Sequence, residues 1–170
     1  MNKIELACGN SVKHGFAGLD IIPSPCVKYI VDLNKCKLPF KDNSVDEFYE
    51  QNSFYELEKP LEIIKECNRC LKVGGILEFQ EMYFSSQYAY TPHTKNFWNF
   101  ACVRLFSKGY RSIGDWEIIS IDFEKSFLPP KWLVNLNRNF YEKYLSRIMP
   151  VNYIIFKLKK SEKTMERVKE

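Results

Sequence analysis

The chain has 170 residues, 45% of them hydrophobic, with a net charge of +4 and six cysteines. That length suits one domain burying about 70% of its unfolded surface in a single core, so no disulfide is needed; no apolar run spans a membrane, no secretory h-region is present, and the cysteines suit a reducing cytoplasm. Half of the net charge falls in residues 159–170, where five Lys/Arg face three Glu, too mild and too dispersed for a phosphate-tracking surface, so nucleic acid is an unexpected partner.

Ile4 to Cys8 reads as a short buried strand, and Ala7 and Gly9 are small enough for a sharp turn. After a polar turn containing Gly15, Phe16 to Asp20 reads as a second strand ending in a carboxylate. Val27 to Leu33 is the third, entered through the stiff Pro23-Ser24-Pro25 segment. The connections between these strands are too short for full crossover helices. A turn at Lys41 to Ser44 leads to a fourth strand, Val45 to Gln51. Pro60 opens a helix to Leu71 with Leu61, Ile64, Cys67, Asn68 and Leu71 on one face. Gly74-Gly75 then ends the connection, and Ile76 to Met82 is the fifth strand.

In the second half, Thr91-Pro92 opens a helix to Lys108, with Phe97, Phe100, Ala101, Arg104 and Leu105 in register. Trp116 to Phe123 alternates as a strand, Pro129-Pro130 precedes a helix to Met149 carrying Leu133, Leu136, Phe140, Tyr144 and Ile148 on one side, and Tyr153 to Leu158 is the last strand. Residues 159–170 read as a charged, disordered tail behind a single domain of residues 1–158. Strands alternating with helices predict an α/β, Rossmann-like sheet, mostly parallel, with helices on both faces.

Glu5-Leu6-Ala7-Cys8-Gly9-Asn10 resembles the first motif of the class I S-adenosylmethionine-dependent methyltransferases, an acid two residues ahead of a G-C-G turn. The match continues in order through Gly18-Leu19-Asp20-Ile21, Val31-Asp32-Leu33-Asn34, Leu38-Pro39-Phe40 with Asp42 to Asp46, and Leu71 to Leu77. The resemblance implies seven strands in the order 3-2-1-4-5-7-6, S-adenosylmethionine as cofactor, and in-line methyl transfer to an unidentified, small-molecule acceptor. It also implies that Glu5, Ala7, Cys8, Gly9 and Asn10 surround the methionine part of the cofactor. Asp20 takes the ribose hydroxyls, Ile21 packs on the adenine, Asp32 and Leu33 lie at the adenine edge, and Asn52 completes the set.

Two positions depart from that pattern. Ala7 stands where the family usually has glycine, and Asn52-Ser53-Phe54-Tyr55-Glu56 stands where relatives often carry a histidine-containing H-V-L-E-H segment. No catalytic residue is assigned, because in-line displacement can be driven largely by holding donor and acceptor together. Tyr55, Glu56, Glu81, Tyr83 and His93 are candidates for the acceptor side or a general base. The aromatics of Tyr83 to Tyr90 read either as an acceptor pocket or as core packing. Cys67 and Cys70 form a CxxC inside a helix without a second pair, so Cys67 is expected in the core, Cys70 toward solvent, and no metal is expected. Short crossovers and a missing N-terminal cap leave one side of the cofactor for a second copy, a partner chain or the substrate to cover. A methyltransferase-like binding or scaffold protein without turnover is the competing reading.

Overall fold

In the computed structural model, which describes residues 1–107, 113–123, 134 and 137–162, seven strands form one mixed sheet. They are β1 (Lys3–Leu6), β2 (Ala17–Asp20), β3 (Val27–Ile30), β4 (Val45–Gln51), β5 (Leu71–Met82), β6 (Trp116–Phe123) and β7 (Tyr153–Lys160), in the order β3-β2-β1-β4-β5-β7-β6. β1 to β5 run parallel, while β7 lies antiparallel between β5 and β6. Ile4 sits beside Ala17 on one neighbour and Phe48 on the other. Strands covered on both faces need continuous apolar runs rather than alternation, and Ile4, Leu6 and Leu19 are fully buried.

The β1–β2 connection is a turn, not a helix, tied by the Lys13 N–H to Glu5 Oε2 and by Phe16 N–H to Lys13 O at 3.0 Å. β3 stops at Ile30, short of Leu33, because Asp32 accepts the Asn34 N–H and caps a 3-10 turn, Leu33–Lys35. Helix α1 (Pro60–Cys70) is the only α-helix longer than one turn among the described residues. Its buried stripe is Ile63, Ile64, Cys67, Asn68 and Cys70. Cys70 therefore turns inward rather than toward solvent, its thiol near Phe40 O. β5 begins directly after α1, earlier than the glycine pair suggested. Gly74 (φ +81°) stays within the strand, and a Cβ on Gly75 would come within 2.9 Å of Lys72 O.

The segment expected as a helix over 91–108 instead runs as turns, extended backbone and a 3-10 helix, Phe100–Leu105, with Lys108 outside the described residues. Tertiary bonds outcompete the helix here. Lys95 and Asn96 both donate backbone N–H groups to Tyr55 O, Phe84 N–H goes to Trp98 O, and the buried Trp98 bridges to Tyr83. Trp98 then joins Phe79, Phe106 and Phe156, the last stacked on Phe79 at 5.0 Å between centroids. Of the aromatic loop after β5, Tyr83 is core, with its hydroxyl donating to Glu142 at 2.8 Å, whereas Tyr88 and Tyr90 are exposed.

Within the second expected helix, Asn137 caps a turn (Arg138–Phe140) that passes into a π-helical stretch, Tyr141–Leu145; Leu133 and Leu136 lie outside the described residues. Its inward residue is Tyr141, while Phe140, Tyr144 and Ile148 face outward, so the expected phase was one residue off. Tyr141 Oη donates to Met149 O at 2.6 Å, which rewards that phase. β7 also extends two residues past Leu158: Lys160 reaches Asn43 Oδ1 and Leu71 O, each at 2.8 Å. Residues 163–170 of the expected tail lie outside the described residues.

Candidate functional site

β1 connects outward toward β2 and β4 outward toward β5, so their carboxyl ends diverge, the place where an open α/β sheet leaves a crevice. A cavity of about 330 Å³ opens there. Ala7, Ile21, Val31, Leu33 and Leu57 give it apolar walls, and Asp20, Asp32, Asn34, Ser53, Glu56 and Lys95 give it polar ones. Three carboxylates face one ammonium, and Lys95 already bonds Glu58 at 2.5 Å.

The turn after β1 is left-handed at Ala7 (φ +49°) and at Gly9 (φ +60°). Asp20, buried at the end of β2, fastens that turn: Oδ2 accepts the Gly9 N–H at 2.8 Å and Oδ1 accepts the Ile22 N–H at 2.9 Å. A carboxylate offers about four lone-pair sites, so each oxygen of this cavity-lining side chain keeps acceptor capacity. Ile21 is 57% exposed and forms an apolar shelf opposite the buried Leu33.

Five expected cofactor residues thus line one cavity: Ala7, Asp20, Ile21, Asp32 and Leu33. The other five do not. Glu5 is buried behind the turn on the Lys13 N–H, and burial raises its carboxyl despite that bond and the Lys13 charge. Cys8 is packed against the closely approaching Gly18, and burial, reinforced by Cys26 and Asp20, pushes its thiol up to about 11. Gly9 spends its N–H on Asp20 and accepts Ser24 Oγ at 3.1 Å, and Asn10 is exposed. Asn52, left-handed at φ +58°, donates its N–H to Gln80 O; its Oδ1 is buried without a donor among the described residues.

Of the acceptor-side candidates only Glu56 lines the cavity. Tyr55 is buried, its phenol raised by burial and by Glu56. Glu81 is wholly buried on backbone N–H groups, Tyr83 is in the core, and His93 is exposed outside the cavity. Ser53 and Lys95 were missed. Ser53 follows a strand end, a position with a usable signal, but Lys95 arrives only through the tertiary bonds to Tyr55 O. Two larger hollows are less suited. One of about 410 Å³ lies at the amino ends of the parallel strands around Asn43, Arg69 and Lys160, and one of about 490 Å³ flanks the edge strand β3. No cluster of metal-ligating side chains occurs among the described residues, and Cys67 is buried with its thiol raised well above the ordinary range.

A sequence model for a methyltransferase domain matches residues 14–79. Solved structures similar to this chain include the complex between the Haloferax volcanii Trm112 methyltransferase activator and a provisionally assigned methyltransferase (TM-score 0.62, 18% identity, 95% of this chain and 83% of that one). Others are the [4+2]-cyclase SpnF (0.61, 18%, 94% and 74%) and geranyl diphosphate C-methyltransferase from Streptomyces coelicolor A3(2), solved with S-adenosyl-L-homocysteine (0.58, 13%, 94% and 73%). No curated protein matches the chain. The fold is that of the class I methyltransferases. The resemblance drawn from Glu5 to Leu77 holds, since the matched segment carries most of those motifs and the sheet has the implied order. No helix among the described residues is long and apolar enough to cross a membrane.

Proposed function

We propose that this chain binds S-adenosylmethionine in the cavity at the ends of β1, β2 and β4 and transfers its methyl group to a small-molecule acceptor. The supporting observation is the cavity's donor deficit. Asp20, which lines it, spends only one hydrogen bond on each oxygen and keeps acceptor capacity, and the cavity's carboxylates outnumber its ammonium, a fit to a cation rich in hydroxyl and amino donors. Asp20 would hold the ribose hydroxyls, and Ile21 with Leu33 the adenine. Bound there, S-adenosylmethionine would supply an electrophilic methyl group on its sulfonium, and the electron pair of the carbon–sulfur bond would stay with sulfur as the methyl group passed to the acceptor.

The chain's own contribution is position and shielding. Asp20 locks the left-handed turn, and Ser53, Glu56 and Leu57 close the opposite wall. An acceptor that must lose a proton can deliver it to Glu56, the one acceptor-side candidate in the cavity. Calorimetry with S-adenosylmethionine and S-adenosylhomocysteine tests the reading. Micromolar binding is expected, weakened at least about tenfold, or 1.4 kcal/mol, in Asp20→Ala. No binding by the intact protein refutes it. Because one structural neighbour is a cyclase, methyl transfer is measured separately; binding without transfer to any small-molecule acceptor would mean a cofactor-binding scaffold.

A further inference from the structure

Behind the cavity wall, two glutamates on adjacent strands meet out of reach of solvent. Glu50, near the end of β4, and Glu81, near the end of β5, are both 0% exposed. Glu50 pairs with Phe79, and Glu81 projects from the same face two residues further on. Together they hold the segment that leaves β4. Glu50 Oε1 accepts the Ser53 N–H at 2.5 Å and the Ser53 hydroxyl at 2.7 Å, while Glu81 accepts the Phe54 N–H at 2.8 Å and the Tyr55 N–H at 3.1 Å. Ser53, Glu56 and Leu57 of that same segment line the cavity.

All four donors are neutral. Glu50 Oε2 is buried with no hydrogen-bond partner among the described residues, and the buried Glu81 carboxyl stands on the same face of the neighbouring strand. Two adjacent carboxylates in a desolvated interior repel too strongly for both to ionise, so a hydrogen bond between them needs a proton. We propose that Glu50 and Glu81 act as one acid pair sharing a single proton, and that this proton keeps Ser53–Leu57 fastened to the sheet as the wall of the site. The pair's link to a cofactor rests on the function proposed above; the proton sharing does not.

Burial first, then the partner's charge, raises Glu81 well above the ordinary glutamate range, and burial raises Glu50 as well. An acid whose folded value is raised stabilises the fold at low pH and loses that contribution as pH climbs through the folded value. As pH climbs through the pair's raised folded value the shared proton passes to solvent, two anions are left side by side, and the wall loosens. Among the described residues the other titratable groups that feel the pair are Tyr49 on β4, Tyr55 on the segment and Cys67 on α1. Burial raises all three above their already alkaline ordinary values, so none changes charge in the neutral range.

Amide hydrogen exchange of Phe54 and Tyr55 in the ligand-free protein tests the pair. Between about pH 6 and about pH 9 their protection factors, corrected for intrinsic exchange, should fall at least about tenfold. In Glu50→Gln the carboxamide donates to Glu81 permanently, so protection should persist across the range. A flat wild-type profile, or the same fall in Glu50→Gln, overturns the proposal. If that variant does not fold, carboxyl carbon shifts of glutamate-labelled wild type decide: both groups titrating in the ordinary range overturn it, one titrating near or above neutrality supports it. Failure to bind S-adenosylhomocysteine at any pH would refute the cofactor reading and leave the exchange result standing.

Discussion

Ala7→Gly should make the protein both more stable and a better binder, against the usual rule that glycine weakens a fold. Ala7 sits at φ +49°, where its Cβ crowds the following carbonyl; holding an L-residue in that region costs about 1–2 kcal/mol, which glycine escapes. Against this, glycine adds about 0.4–1 kcal/mol of unfolded-state entropy that folding must overcome. The conformational relief wins, leaving about 0.5–1 kcal/mol, or about 1–4 °C in the unfolding midpoint for a domain of this size. The same change removes a methyl group from the cavity wall, so S-adenosylhomocysteine should bind at least as tightly. Differential scanning calorimetry with and without that ligand measures both terms. A midpoint lowered by more than about 2 °C would show that the turn is not strained at residue 7; unchanged stability with weakened binding would show that the methyl group is a contact rather than an obstruction.

Asp20→Ala should cost more than ligand affinity, because it leaves the Gly9 and Ile22 N–H groups without their acceptor; about 2–4 kcal/mol of stability should be lost in urea titration. Arg69 clamps α1 to the loop before β4, meeting both oxygens of Glu66, Asp42 Oδ1 at 2.5 Å and Phe40 O at 3.0 Å. The Arg69 hydrogen bonds hold the Glu66 carboxyl below its ordinary value, so this contribution is present above that value and lost as pH falls through the lowered one. Arg69→Ala should cost about 1–2 kcal/mol at neutral pH after solvent screening, and the gap between its melting curve and that of the wild type should close in acid. Phe79, touching Phe54, Trp98, Phe106 and Phe156, should lose about 3–5 kcal/mol on truncation to alanine but under about 1.5 kcal/mol on change to leucine, read from denaturant midpoints.

What was legible in the sequence follows from the range of the forces involved. The fourth and sixth strands have the bounds expected, because Val45 to Gln51 and Trp116 to Phe123 carry their own apolar pattern between clear turns. The sheet order is not written in periodicity and came from motif resemblance. Thr91 to Lys108 failed because Trp98 and the amides of residues 95 and 96 are claimed by distant partners that helical spacing cannot reveal. At the site, Ala7, Asp20, Ile21, Asp32 and Leu33 came from the motif resemblance, with Asp20 and Asp32 also legible as strand-end carboxylates, whereas Lys95 enters from another part of the chain. Glu81 was singled out only as an acceptor-side candidate, and its pairing with Glu50 was hidden for a different reason. A glutamate in a strand normally marks the wet face, and only the pairing of β4 with β5 brings these two together on one buried face.

In the sheet β6 pairs with β7 alone, although β7 follows it in the chain. While the ribosome is still working, β6 emerges before its template exists, and β5 offers a bare outer edge that another nascent chain could adopt. The five parallel strands need nothing beyond residue 82 to pair. The crevice can therefore be laid down early in synthesis, and the interval before residue 160 leaves the exit tunnel is when this protein would most need a chaperone.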